Sequence, residues 1–302
     1  MAGSTSVSLY HVRHRSIRIA ATVFLLPALL FIVVYVVYPI IASFINSTMD
    51  WRRTTGGSQT FTGLDNWTRL IKDGYFWKAF INNIRIMFLS LLFQVPFAMI
   101  LATFLDFYGK KTTLFKVVWF LPYLLSSVAI GVLFKFSLSA TDGLITSISK
   151  IVGGGAVDLL GNPQAALYAV IGVVCWQYIP FYMVLYLAAY GTIPVELYEA
   201  ANIDGATQRQ YFWRVSLPLL RPTIISGMIL SIIGSLKYFD LVYVMTGGGP
   251  GTATELMATY MYRQFYGNGN MGYGSTVASG MFILITLITL ITVTLLNRKT
   301  EL

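Results

Sequence analysis

Six apolar runs of roughly twenty residues or more constrain this chain more than any other feature of its sequence. They occupy residues 19–44, 84–107, 115–138, 165–190, 223–243 and 276–296. A hydrocarbon core about 30 Å thick takes roughly 20 residues of helix to cross, and backbone facing lipid must satisfy its own hydrogen bonds. Each run is therefore predicted to be a helix, and the fold class to be an all-α membrane protein with six transmembrane helices. Composition agrees. Hydrophobic residues make up 56% and charged residues 11%, with a mean hydropathy of +0.68, against roughly 25% charge in a soluble domain. Pro27, Pro39, Pro96, Pro122 and Pro180 fall inside the runs, where each frees a backbone carbonyl and favours a bend.

The 21 Lys and Arg against 12 Asp and Glu do not form a nucleic-acid surface, because they flank the apolar runs instead of clustering on one face. The first run follows a basic tail with Arg13, Arg15 and Arg18, yet it is too long for a signal peptide and lacks a small-residue cleavage site. It reads as a retained anchor. The division expected is a cytoplasmic tail at 1–18 and a single transmembrane domain at 19–302. An even number of spans puts both termini on one side, and short basic clusters at helix ends (Lys110, Lys111, Lys116; Arg298, Lys299) favour the cytoplasm. The lone Cys175 lies in an apolar run and reads as a small buried hydrophobe.

The connection at 191–221 is polar and long for a helical bundle. It reads as two short helices: one opened by Pro194, and a second capped by Thr207 that continues to Leu217 and is ended by Pro218. Gly205 between them permits a turn with positive φ. The result is a helical hairpin projecting from the bundle.

Glu199-Ala200-Ala201, then Gly205, then Val215-Ser216-Leu217-Pro218 resemble the EAA motif of the permeases of ATP-binding-cassette (ABC) importers, with Val215 in place of the usual isoleucine. Further segments, Leu64-Asp65-Asn66-Trp67, Phe80-Ile81-Asn82-Asn83, Phe239 to Tyr243, Thr246 to Pro250 and Gly272 to Ser275, are similar to landmarks of the maltose-type carbohydrate branch, first-partner permease. The resemblance implies a protein of the bacterial plasma (inner) membrane. It implies that the cytoplasmic loop at 191–221 couples to a separate ATPase through Glu199, Ala200, Ala201, Asp204, Gly205, Leu217 and Pro218. It also implies the partners: a second homologous permease, an ATPase dimer, an extracytoplasmic solute-binding protein and a carbohydrate. No cofactor is expected on this chain, since ATP would be bound by a partner and no P-loop occurs here.

Ser231, Gly234, Ser235 and Tyr238 share one helical face, at positions resembling those that line the sugar site of the maltose permease. Hydroxyls and an aromatic ring suit a sugar; close helix packing through small residues explains the same pattern equally well. Tyr178 and Gln177, with Trp176, Tyr182, Asn82, Asn83 and Gln94, are weaker candidates for the path, and Lys135 and Lys237 read as snorkelling to the interface. No enzyme is expected: His11 and His14 sit in the tail, and Asp106, Asp142 and Asp158 are scattered. The alternatives are a permease for a polyol or glycerol phosphate compound, or a polytopic enzyme acting on lipid-linked substrates.

Overall fold

The structure, a computed structural model, describes residues 22–53 and 56–297; the basic tail at 1–18, both histidines and the Arg298-Lys299 pair lie outside the described residues. Five helices are long and apolar enough to cross a bilayer: Thr22–Asn46, Gly74–Tyr108, Ala166–Tyr190, Gln208–Leu236 and Met271–Leu296. Between the second and third of these, Thr113–Leu124 and Ser127–Ser137 form a bent pair at 92°. Counting that pair as one crossing gives the six expected, numbered here as spans one to six in chain order.

The differences from the sequence reading lie at helix ends. Span two starts at Gly74, well before 84, because the Asp73 carboxylate caps it by accepting from the amides of Tyr75 and Phe76 at 2.9 and 3.4 Å. Span three is broken instead of continuous: after Pro122 the chain turns extended at Leu125 (ψ 147°). Span five was expected at 223–243 but stops at Leu236, and Asp240–Thr246 forms a separate short helix. At its other end the span reaches back to Gln208, so Pro218 does not end the hairpin's second helix. A π-turn at Phe212–Ser216 precedes the proline, with the Leu217 amide reaching Phe212 O. Widening the helix there eases the clash a proline ring otherwise makes with the carbonyl four residues back.

Breaking span five strands carbonyls in an apolar layer, and one side chain meets them. Asn83 Nδ2 donates to Ser235 O and Leu236 O at 3.1 and 3.0 Å, while its Oδ1 accepts from the Met257 amide at 2.9 Å. Its neighbour Asn82 donates to Ala253 O and Glu255 O, both at 3.0 Å. Both asparagines are fully buried and hold backbone, which removes them from the candidate path residues.

The end of the bundle opposite the hairpin carries a small element that hydropathy gave no sign of, a two-stranded antiparallel ribbon of Met49–Trp51 and Gln59–Phe61. Asn66 Nδ2 donates to Ser47 O and Met49 O at 3.1 and 2.9 Å, and Trp67 Nε1 to Ser47 Oγ at 3.0 Å. A Cβ on Gly272 would lie 2.0 Å from Met49 O, so only glycine lets span six pass the ribbon. Asp73 accepts from Tyr260 at 2.5 Å and also from Tyr273, tying span two to the start of span six. Burial alone would raise the Asp73 carboxyl. The hydrogen bonds from Tyr260, Tyr273 and the two amides outweigh it and hold the group below its ordinary value.

Two predictions follow from these contacts. A depressed folded-state value means that Asp73 contributes stability above its unfolded value, near 3.9, and loses it as pH falls through the folded one. Asp73→Asn keeps an oxygen able to cap the helix but loses the charge, so it is expected to lower the melting temperature of the purified protein at neutral pH, with the difference shrinking as the wild type is acidified; equal melting at pH 7 would contradict a stabilising role for the charged carboxylate between Tyr260 and Tyr273. Asn83→Leu, of similar size, leaves three buried backbone groups unpaired at about 1–3 kcal/mol each. It is expected to reduce the folded yield in detergent severely, and wild-type thermal stability would refute the clamp.

Candidate transport site

Spans three and five break at the same place, and a cavity of about 190 Å³ lies there. Tyr123 precedes the first break and Tyr238 sits in the second. The remaining wall is Gln94 from span two, Val174, Tyr178, Phe181 and Tyr182 from span four, and Leu230, Ser231, Gly234 and Ser235 from span five. Aromatic rings dominate one side. Tyr123 stacks on Phe181 at 5.1 Å between centroids, and Tyr178 stands edge-on to Tyr123 at 5.9 Å and to Tyr238 at 6.0 Å. Polar atoms line the other side. Ser231 Oγ donates to Gln94 Oε1 at 3.0 Å, and the buried Tyr238 hydroxyl has no hydrogen-bond partner of normal geometry among the described residues. Tyrosine faces opposite serine and amide groups can stack the CH face of a polyhydroxylated ring and hydrogen-bond its rim.

Seven of the eleven path candidates named from the sequence thus line one cavity: Ser231, Gly234, Ser235, Tyr238, Tyr178, Tyr182 and Gln94. Gln177 does not line it. Its Nε2 donates to Ser127 Oγ at 3.2 Å, joining span four to the helix after the break in span three. The packing alternative divides by residue. A Cβ on Gly234 would meet nothing within 4 Å, so that glycine faces open space, whereas one on Gly227 would stand 2.5 Å from the Tyr186 hydroxyl oxygen. Tyr123, Phe181 and Gly227 were not singled out from sequence. Aromatic residues abound at 15% of the chain, and nothing local marks these as different.

The hairpin forms as two arms around Gly205. The first, Val195–Ile203, ends in a full Schellman motif: the Ala206 amide reaches Ala201 O at 2.9 Å and the Gly205 amide Asn202 O at 3.1 Å, with Gly205 at φ +71°. The second opens on a capping box, Thr207 Oγ1 accepting from the Gln210 amide at 3.3 Å and Gln210 Oε1 from the Thr207 amide at 2.7 Å. Tyr198 and Tyr211 pack edge to face at 5.2 Å across the arms. No residue of the first arm is buried: Glu199, Ala200 and Asp204 are exposed and Ala201 half-buried, while Ile203 is 86% and Val195 65% exposed. Leu217 and Pro218 lie on the continuous second arm, half-buried and exposed. The hairpin is thus capped by its own residues and leaves the aliphatic side chains of its first arm bare.

A broken-helix cavity inside a bundle of apolar spans, with a projecting hairpin at one end, defines a membrane transport component. The chain matches the family model described as "Binding-protein-dependent transport system inner membrane component" over residues 86–302, and it belongs to that family. It is similar to the trehalose/maltose transport system permease protein of Thermococcus litoralis, at 32% identity over 88% of this chain and 90% of that one. The arabinooligosaccharides transport system permease protein of Bacillus subtilis is 30% identical over 91% of this chain and 88% of that one. Among solved structures, a chain of a bacterial ABC transporter involved in the import of the acidic polysaccharide alginate superposes with a TM-score of 0.81. That match has 25% identity and covers 96% of this chain and 99% of the other.

The hairpin geometry carries a prediction. A β-branched residue at φ +71° is strained by about 1–3 kcal/mol, while the space around Gly205 is empty, so the bundle itself should be undisturbed. Gly205→Val is expected to insert and fold but to abolish solute uptake or uncouple it from ATP hydrolysis in the assembled transporter. Normal coupled uptake would remove the hairpin from the mechanism.

Proposed function

We propose that this chain is the membrane-spanning permease subunit of an ABC importer, and that it passes a sugar or oligosaccharide by alternating access. The observation that carries the reading is the aromatic and hydroxyl-lined cavity at the shared break of spans three and five, in a chain of this family. Relatives named for trehalose/maltose and for arabinooligosaccharides, and a structural neighbour named for alginate import, support a carbohydrate. In this reading Ser231, Gly234, Ser235, Tyr238 and Tyr178, with Tyr123, Phe181 and Gln94, contact the solute. The exposed arm with Glu199, Ala200, Ala201, Asp204 and Gly205 docks on an ATPase dimer that binds ATP, while Leu217 and Pro218 pass its motion into span five. A second permease completes the channel, and an extracytoplasmic binding protein delivers the solute. The hairpin and both termini face the cytoplasm, and the chain makes or breaks no covalent bond in the solute.

Mechanically, closure of the ATPase pair would push the hairpin, and the second arm would transmit that push because it is helical without interruption from Gln208 to Leu236. The outer ends answer through close packing. A Cβ on Gly131, in the helix after the break in span three, would lie 2.9 Å from Val244 in the helix after the break in span five. These two short helices would therefore move together above the cavity.

Uptake of radiolabelled trehalose, maltose, arabino-oligosaccharides and alginate oligomers by the reconstituted transporter tests the reading. Failure to move any of them, with polyols or glycerol phosphate diesters moved instead, would overturn the carbohydrate assignment. Ser235→Leu and Tyr238→Leu are each expected to reduce uptake at least tenfold, about 1.4 kcal/mol, while leaving ATPase docking intact in pull-down. Unaltered kinetics in both would take these residues out of the path.

A further inference from the structure

A second cavity, of about 380 Å³, lies at the hairpin end of the same bundle. Three helices show both cavities at successive levels. Gln94, Tyr182 and Ser231 face the first cavity; Thr103, Tyr190 and Ser216 face the second. On span four the tyrosines recur every fourth residue, Tyr178, Tyr182, Tyr186 and Tyr190, which keeps them close to one helical face at about 6 Å per step. Between the two levels stands Tyr186. It is 0% exposed in a cluster with Ala98, Ala102, Met183 and Leu220, and its ring centroid lies 6.5 Å from that of Tyr182. Its hydroxyl presses on the bare Cα face of Gly227, where a Cβ would come within 2.5 Å. That hydroxyl is buried with no hydrogen-bond partner among the described residues.

A buried hydroxyl without a partner destabilises the state that contains it. Nothing about close packing calls for one here, since phenylalanine would fill the same space at no such cost. Tyr186 lines neither cavity in this arrangement, and a swing of its ring into either one would offer the hydroxyl water or a solute hydroxyl as partner. We propose that Tyr186 is the partition between the solute cavity and the hairpin-side cavity, held closed against Gly227 and biased toward opening by its own unpaired hydroxyl. The hairpin-side cavity is then the next station for a polyhydroxylated solute, with Tyr190 and Tyr211 as stacking faces and Thr103 as a polar contact. This inference rests on the proposed passage of solute through the bundle. Its small-residue seat, Ala98 and Gly227, gives the ring room to close without distorting spans two and five.

The test reads the partition directly and needs no solute, so its failure is separable from failure of the carbohydrate assignment. In the complete reconstituted transporter, with Cys175→Ser removing the native thiol, Ser231→Cys places a reporter in the solute cavity. Membrane-impermeant trimethylammonioethyl methanethiosulfonate is then applied to vesicles with the hairpin face outward. Tyr186→Phe deletes the unpaired hydroxyl and stabilises the closed partition, so labelling of the reporter is expected to slow about fivefold while melting temperature holds or rises. Tyr186→Ala removes the ring, and labelling is expected to accelerate more than tenfold. A Tyr186→Phe protein labelled at the wild-type rate overturns the proposal, whether or not the alanine variant folds. So does a folded Tyr186→Ala protein labelled no faster than wild type.

Discussion

A bilayer offers lipid-facing backbone no water, so the groups freed where a helix breaks need partners within the protein. Asn83 is that partner for span five. One carboxamide takes up Ser235 O and Leu236 O with its nitrogen and the Met257 amide with its oxygen. With those groups paired, span five can stop at Leu236, Tyr238 can enter the cavity wall, and the short helix Asp240–Thr246 can pack on the helix after the break in span three. The cavity exists because the break is affordable.

The end opposite the hairpin repeats this use of polar side chains as fasteners. Asp73 caps span two and gathers Tyr260 and Tyr273; Asn66 and Trp67 hold the turn into the ribbon; Asn82 holds the loop before Met257. Asn66, Trp67, Asn82 and Tyr273 fall in the segments whose sequence resembles other permeases, and their hydrogen bonds here run to backbone or to other side chains. The cavity sits deeper, where aromatic faces and a few hydroxyls replace the fasteners. The hairpin at the opposite end is closed by its own caps, while Ile193 and Phe212 pack on the bundle core and the aliphatic side chains of its first arm stay exposed. Through span five, helical from Gln208 to Leu236, the projecting hairpin is joined directly to the cavity at the paired breaks.

Much of this was legible without coordinates. Apolar run length marked the crossings, because thickness and backbone satisfaction leave few alternatives. The hairpin's turn was legible to the residue: Thr207 is the cap, and Gly205 has the positive φ, because both roles are local and residue types differ sharply in their fitness for them. The stripe Ser231, Gly234, Ser235 and Tyr238 was visible as a face, but its partner was not. Pro218 misled, since a proline reads as a helix end unless a π-turn absorbs it, and π-turns leave no clear mark in composition.

The chain by itself thus determined the apolar runs able to cross a bilayer, the place and turn of the hairpin, and one face of the cavity, all of which follow from run length, caps and helical period. Only the tertiary structure decided that spans three and five break beside each other, that Asn82 and Asn83 hold backbone, that Gln177 points away from the cavity, and that Tyr186 closes on Gly227. Each of these depends on residues far apart in sequence meeting across helices. Helical period specifies which way a side chain leaves its own axis and nothing about what it finds there.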